Sequence, residues 1–215
     1  MRGMTETGID RGAFDQPTPV AKQVWPVDPH NWYVEPAACT AQLIEQEGFL
    51  GRSYDPACGQ GNIVETLIAM GGDAFGTDVV RRTDAPWFKG VRDFLAPGSV
   101  AYHDNLICNP PFFRAKGTEA FIRRALAVTP GKIAIFTDMK FLAGSRRANG
   151  LYREARPARV YIITPRPSCP PGEYLKAGNK AAGGTADYCW IVWDKTAPST
   201  GTSMLWLTKD GADDD

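Results

Sequence analysis

SYDPACGQGNIVETL, residues 53–67, reads as the end of a strand, a glycine turn and the start of a helix. The strand runs from Arg52 to Ala57. The helix from Asn62 to Met70 (NIVETLIAM) has one apolar face and is stopped by Gly71 and Gly72. Gly59 and Gly61 permit dihedrals and close approaches that a side chain forbids. A GxG turn serves packing as readily as a ligand. Two features point to a ligand here. The turn opens a helix whose first amides are free to bind, and Asp55 precedes it at the strand end, where a carboxylate can meet a cation. A dinucleotide site of the GxGxxG kind wants a third glycine, and this chain has Val64 there.

Working outward, Asp73 to Asp78 is a second strand and Val91 to Leu95 a third. Asp78 at its strand end is placed to accept from both hydroxyls of a ribose, or else it caps a turn. Asp93 repeats the pattern in VRDFL, placed to accept from an adenine amino group with Phe94 packed on the ring. A solvated strand-end aspartate is the alternative.

DNLICNPPFF, residues 104–113, is the sharpest feature. Asn105 to Cys108 is a fourth strand, ended by Pro110 and Pro111. The two prolines fix φ and remove two backbone donors, leaving a rigid loop that offers acceptors: the Asn109 side-chain oxygen and the Pro110 carbonyl. An exocyclic aromatic amine has two N–H donors. Two fixed acceptors hold those protons and aim the nitrogen lone pair at an electrophile. Phe112 offers a face on which a flat ring stacks. The alternative is a strand-ending turn with Phe112 in the core, and the segment's place after the DPACGQG turn favours a site.

The remaining elements alternate. Ala37 to Gln46 and Gly117 to Val128 read as helices; Lys132 to Thr137, Val160 to Thr164 and Tyr188 to Trp193 read as strands. No helix separates the last two, which predicts a mostly parallel sheet ending in a hairpin. The 215 residues, 43 % hydrophobic, suit one α/β domain, with residues 1–25 a polar arm, 26–196 the domain, and 197–215 an extension ending in the acidic GADDD. Net charge is zero, so no global field draws a polyanion. The five scattered cysteines show no CxxC pair, and only two histidines accompany them, so no metal site is expected and reduced thiols are. No apolar run approaches a bilayer's thickness, and residues 1–16 do not look like a signal peptide, so a cytoplasmic protein without membrane contact is expected.

With these motifs in this order, the chain resembles the class I S-adenosylmethionine-dependent amino-methyltransferases, in particular small phage-type DNA adenine-N6 methyltransferases. The resemblance covers roughly residues 28 to 195. It implies a Rossmann-like, seven-stranded, mostly parallel sheet with an antiparallel last strand and helices on both faces. DPACGQG, with Asp55, Ala57, Cys58, Gly59 and Gly61, is similar to the family's cofactor motif. Asp78 is similar to the acidic ribose position, and Asp93 with Phe94 to the adenine position. Asn109, Pro110, Pro111 and Phe112 are similar to the catalytic D/N-P-P-Y/F/W motif, with Asn109 also near the cofactor. HNWYVEP resembles the N-terminal motif that closes over the methionine end, which puts Trp32 and Tyr33 beside the cofactor.

The resemblance implies methyl transfer from S-adenosylmethionine to adenine N6 in flipped or single-stranded DNA. No recognition domain lies between the two central motifs, so specificity is low or carried by short loops. Lys140, Arg146, Arg147, Arg153, Arg156, Arg159 and Arg166 form a basic stretch that suits phosphates, or a solvated helix face. RPSCPPG is expected beside the target pocket, with AGNKAAGG either a mobile clamp on DNA or a connector. RNA adenine and protein glutamine are alternative acceptors, and a catalytically inactive nucleic-acid-binding version of the fold is another alternative.

Overall fold

The computed structural model describes residues 28–98, 100–113, 116–181, 183–184, 186–197 and 199–208. The polar arm at residues 1–25 and the GADDD tail lie outside the described residues. In chain order the elements are α1 (Ala37–Glu47), β1 (Arg52–Asp55), α2 (Asn62–Ala69), β2 (Asp73–Asp78), β3 (Phe88–Val91), β4 (Asn105–Cys108), α3 (Lys116–Val128), β5 (Lys132–Asp138), α4 (Ser145–Asn149), α5 (Leu151–Glu154), β6 (Arg159–Thr164), α6 (Gly172–Lys176), β7 (Tyr188–Asp194) and β8 (Ser203–Thr208).

The strands form one sheet in the order β3-β2-β1-β4-β5-β7-β6-β8. Strands β1 to β5 run parallel, β7 is antiparallel to both β5 and β6, and β8 is parallel to β6. Side chains alternate between the faces with the period of a strand. Ile107, Ala134, Phe136, Trp190 and Val192 pack with Leu43 of α1 and Ile63, Val64 and Leu67 of α2. Leu106, Cys108, Ile133, Ile135 and Ile191 pack with Phe121, Ile122 and Ala125 of α3 and Leu151 of α5. The central strands are apolar because both faces are covered. Each fully buried Leu or Ile contributes on the order of 1.5–3 kcal/mol. Two of the buried indoles have their donors satisfied by main-chain carbonyls: Trp190 Nε1 donates to that of Cys39 at 3.0 Å and Trp193 Nε1 to that of Ala155 at 2.9 Å.

Two expectations are corrected. The third strand is Phe88–Val91 rather than Val91 to Leu95. The Asp93 carboxylate accepts from the Leu95 amide at 2.9 Å, a local turn that ends extension two residues past the strand. The sheet has eight strands, not seven: Ser203–Thr208, within the expected extension, pairs in register along all of β6. Leu207 anchors β8 in the core, while Met204 and Trp206 stay exposed.

Candidate functional site

Strand order reverses around β1, which lies between β2 and β4. Crossovers leave in opposite directions there, and the carboxyl ends splay into a crevice. A cavity of about 310 Å³ occupies that place. Of the residues singled out in the sequence, Trp32, Tyr33, Asp55, Ala57, Cys58, Asp78, Asp93, Asn109 and Pro111 line it. They come from sequence positions up to 79 apart in number, brought together because Asp55, Asp78 and Asn109 each end or follow a neighbouring strand.

Gly59, Gly61, Phe94, Pro110 and Phe112 do not line the cavity. The glycines are required for packing. Their φ values are +55° and +102°, and a Cβ would overlap the Trp32 indole at Gly59 and the Trp87 indole at Gly61. Phe94 is 1 % exposed and belongs to the core with Tyr54 and Phe121, because the turn at Asp93 points it inward. Leu95 takes the place at the cavity wall expected of Phe94. Phe112 is half-buried and does not line the cavity, whereas Phe113, at φ +35°, does.

The cavity walls are acidic. Glu35, Asp55, Asp78 and Asp93 all line it, against Arg82 as the lining cation among the described residues. Asp55 is buried, accepts from the Ala57 amide at 3.0 Å, and is held well above the usual carboxylate range by burial and by the neighbouring Glu35 charge. Such a group gains most from an incoming cation. Asp78 is already engaged: Oδ2 accepts from the Gly59 amide at 2.9 Å, and Oδ1 from the Val80 amide at 2.9 Å and Arg82 Nη1 at 2.8 Å. Oδ2, with a single donor, keeps a lone pair for a ligand hydroxyl. Burial pushes the Cys58 thiol up, so it stays protonated and is no nucleophile.

The segment 28–35 straps the mouth of the cavity. The Asp28 carboxylate accepts from the His30 amide at 2.8 Å and the Trp32 amide at 3.1 Å. The Trp32 carbonyl accepts from the Gly172 amide at 2.9 Å, and the Val34 amide donates to the Pro170 carbonyl at 2.9 Å. Tyr33 bridges Pro171. The RPSCPPG loop after β6 therefore packs against this strap. Trp32 needs the bare Cα of Gly172 as well as that of Gly59. Its ring receives Arg82 at 4.5 Å and Lys176 at 4.8 Å.

Asn109 is tied to this strap. Its Nδ2 donates to the Tyr33 carbonyl at 2.9 Å and to Glu35 Oε2 at 2.7 Å. Both amide hydrogens are thus used, and Oδ1 is the acceptor that remains. Glu35, Arg82 and Phe113 were missed in the sequence. Glu35 stands inside HNWYVEP, where an acid ahead of a helix reads as a surface charge near the dipole. Arg82 stands four residues after Asp78, a spacing that had no helix to give it meaning.

The basic stretch is not one patch. Arg159 is bound by Glu47 and Asp194 at the far end of the sheet, where Glu47 also takes Lys132 and Tyr161. It is corrected to a structural ion pair. Arg147 donates to the Phe141 carbonyl at 2.6 Å and stacks on the Phe141 ring, Arg156 donates to the Thr200 carbonyl, and Arg166 pairs with Asp187 at 2.6 Å. Arg146 and Arg153 are exposed and enter no ion pair among the described residues. No helix among the described residues is long and apolar enough to cross a membrane.

Sheet order, antiparallel β7 and a site at the switch point define a Rossmann-like α/β fold of the methyltransferase kind. Solved structures share it. A candidate RNA methyltransferase from Pyrococcus horikoshii matches with TM-score 0.54 at 14 % identity over 75 % of this chain and 84 % of that one. The modification subunit of a candidate type I restriction enzyme from Vibrio vulnificus matches at 0.52 and 12 % identity, over 84 % of this chain and 48 % of that one. A candidate hemolysin from Lactococcus lactis matches at 0.52 and 8 % identity, over 80 % and 91 %. At these identities the likeness is one of fold. No family model and no curated protein matches the sequence.

Proposed function

We propose that this protein transfers a methyl group from S-adenosylmethionine to an exocyclic amine, and that adenine N6 in DNA is the acceptor. The observation that carries the proposal is Asn109, whose amide is held by Tyr33 and Glu35 with Oδ1 left as acceptor at an acid-lined cavity. The cavity residues fit the cofactor: Asp55 is a buried carboxylate without an ion-pair partner among the described residues, and a sulfonium with an ammonium group supplies positive charge. S-adenosylmethionine, when bound, supplies an electrophilic methyl group.

The chain's own residues do the rest. Asp78 Oδ2 keeps capacity for a ribose hydroxyl, and Asp93 for an adenine amine. Asn109 Oδ1 accepts one amine proton of the target and orients the nitrogen. Phe113, exposed and at the cavity, stacks the target ring in place of Phe112. The strap at Trp32 excludes water from the cofactor side. Arg146 and Arg153 follow the catalytic end of β5 and are open to phosphates.

The test is transfer of labelled methyl from S-adenosylmethionine to unmethylated duplex DNA, single-stranded DNA, RNA and glutamine peptides. Nucleoside digestion and mass spectrometry follow. N6-methyladenine from DNA supports the proposal. Label in RNA or peptide keeps the chemistry and replaces the acceptor. Cofactor binding with no transfer to any acceptor favours an inactive binding version of the fold.

A further inference from the structure

Glu35 has no ordinary structural reason to be an acid. The residue is 4 % exposed, and it enters no ion pair among the described residues. The groups facing it are themselves anionic or neutral: Asp55 of β1, Cys39 of α1, and Cys108 and Cys169 from β4 and the loop after β6. A buried carboxylate in such surroundings costs stability. Its one side-chain donor is Asn109 Nδ2 at 2.7 Å, and both residues line the cavity.

We propose that Glu35 is a positioning residue for Asn109: it locks the amide with Oδ1 toward the acceptor amine, and its charge strengthens that oxygen as positive charge develops on the amine. This rests on the amino-methyltransferase reading above. With the Tyr33 carbonyl on one amide hydrogen and Glu35 on the other, a flipped amide would set Oδ1 against two acceptors. The orientation is therefore fixed by repulsion as well as attraction. A carboxylate accepting from Nδ2 also polarises the amide and moves electron density to Oδ1. In the transfer, the amine lone pair forms the N–C bond while the methyl–sulfur bond breaks with its electron pair left on sulfur. The surplus amine proton then passes to water. Glu35 acts while the nitrogen is becoming cationic and does not itself take the proton.

Burial raises Glu35 to about 7, so its charge appears across neutral pH. Glu35→Gln keeps an acceptor for Nδ2 but never the charge, and Glu35→Ala removes both. The experiment measures single-turnover methylation of unmethylated plasmid DNA at saturating S-adenosylmethionine, from pH 5.5 to about 8.5, with KM for DNA. In Glu35→Ala the rate falls on the order of 10²-fold with KM little changed. Glu35→Gln falls less and loses the wild-type rise with pH. Full rate in Glu35→Ala, or a wild-type pH profile in Glu35→Gln, overturns the proposal. A second readout needs no acceptor: the Asn109 side-chain amide resonance shifts with pH around neutrality in the wild type and not in Glu35→Gln. An inactive wild type with that titration present removes the acceptor reading and leaves the Glu35–Asn109 coupling. An Asn109 resonance that ignores pH in the wild type removes the coupling.

Discussion

Asp78 and Arg82 form an ion pair of 2.8 Å with side chains only 9 % and 5 % exposed, and the pair stands at the carboxyl end of β2 on the cavity wall. The same guanidinium lies on Trp32. It therefore couples the acid that ends β2 to the strap over the mouth, and it offsets one of the four carboxylates.

Removing that cation makes the cavity more acidic. Arg82→Ala is expected to raise the affinity for cationic S-adenosylmethionine relative to neutral S-adenosylhomocysteine by about tenfold, from a Coulomb interaction of about 1–2 kcal/mol at intermediate dielectric. Calorimetry with both ligands measures the ratio. An unchanged ratio would mean that Arg82 is remote from the bound charge.

Asn109→Ala is expected to keep cofactor binding and lose about 10²–10³ in methyl-transfer rate, because a fixed acceptor is lost while the acidic walls stay. Parallel calorimetry and single-turnover assays separate the two quantities. Retained turnover would remove Asn109 from the mechanism.

Gly59→Ala should destabilise the fold by at least about 1–2 kcal/mol for the left-handed backbone alone. The added Cβ also overlaps Trp32. Thermal unfolding reports the first effect and loss of tight cofactor binding the second. A variant as stable as the wild type would show that Trp32 does not need this seat.

Stability should carry a mark of Glu35. Its folded value is raised from 4.5 to about 7, so the protein holds this proton more tightly when folded. The stability tied to that proton is full below pH 4.5 and is lost as pH rises toward about 7. The loss is at most about 3.5 kcal/mol, taking ~1.4 kcal/mol per pK unit. Glu35→Gln, unable to ionise, should gain on the wild type in denaturant melts as pH rises from about 4.5 to about 8. Parallel curves at both ends would contradict the raised value.

Charge reversal separates the arginines. Arg146→Glu and Arg153→Glu should weaken DNA binding and lower the salt slope by about one counterion per lost phosphate contact, without changing thermal stability. Arg159→Ala should do the reverse, because it leaves Glu47 and Asp194 short of a buried partner. Equal DNA defects in all three would restore the single basic patch.

Local sequence determined much of this protein. Short continuous apolar runs such as NLIC and KIAIF, bounded by turn residues, read as strands covered on both sides, and glycines after Asp55 and prolines after Asn109 read as turns at strand ends. These signals act within a few residues, so they are legible in one dimension. Tertiary structure decided what depends on neighbours distant in the chain. It set the Trp32 and Trp87 indoles against the bare Cα atoms of Gly59 and Gly61. It sent Phe94 inward and Phe113 to the cavity, because a turn of one residue reverses which face a side chain meets. It placed β8 beside β6, a pairing between segments more than forty residues apart whose partner no local pattern names. It also set Glu35 against Asn109, 74 residues away, where burial makes an apparent surface acid hold its proton up to about pH 7.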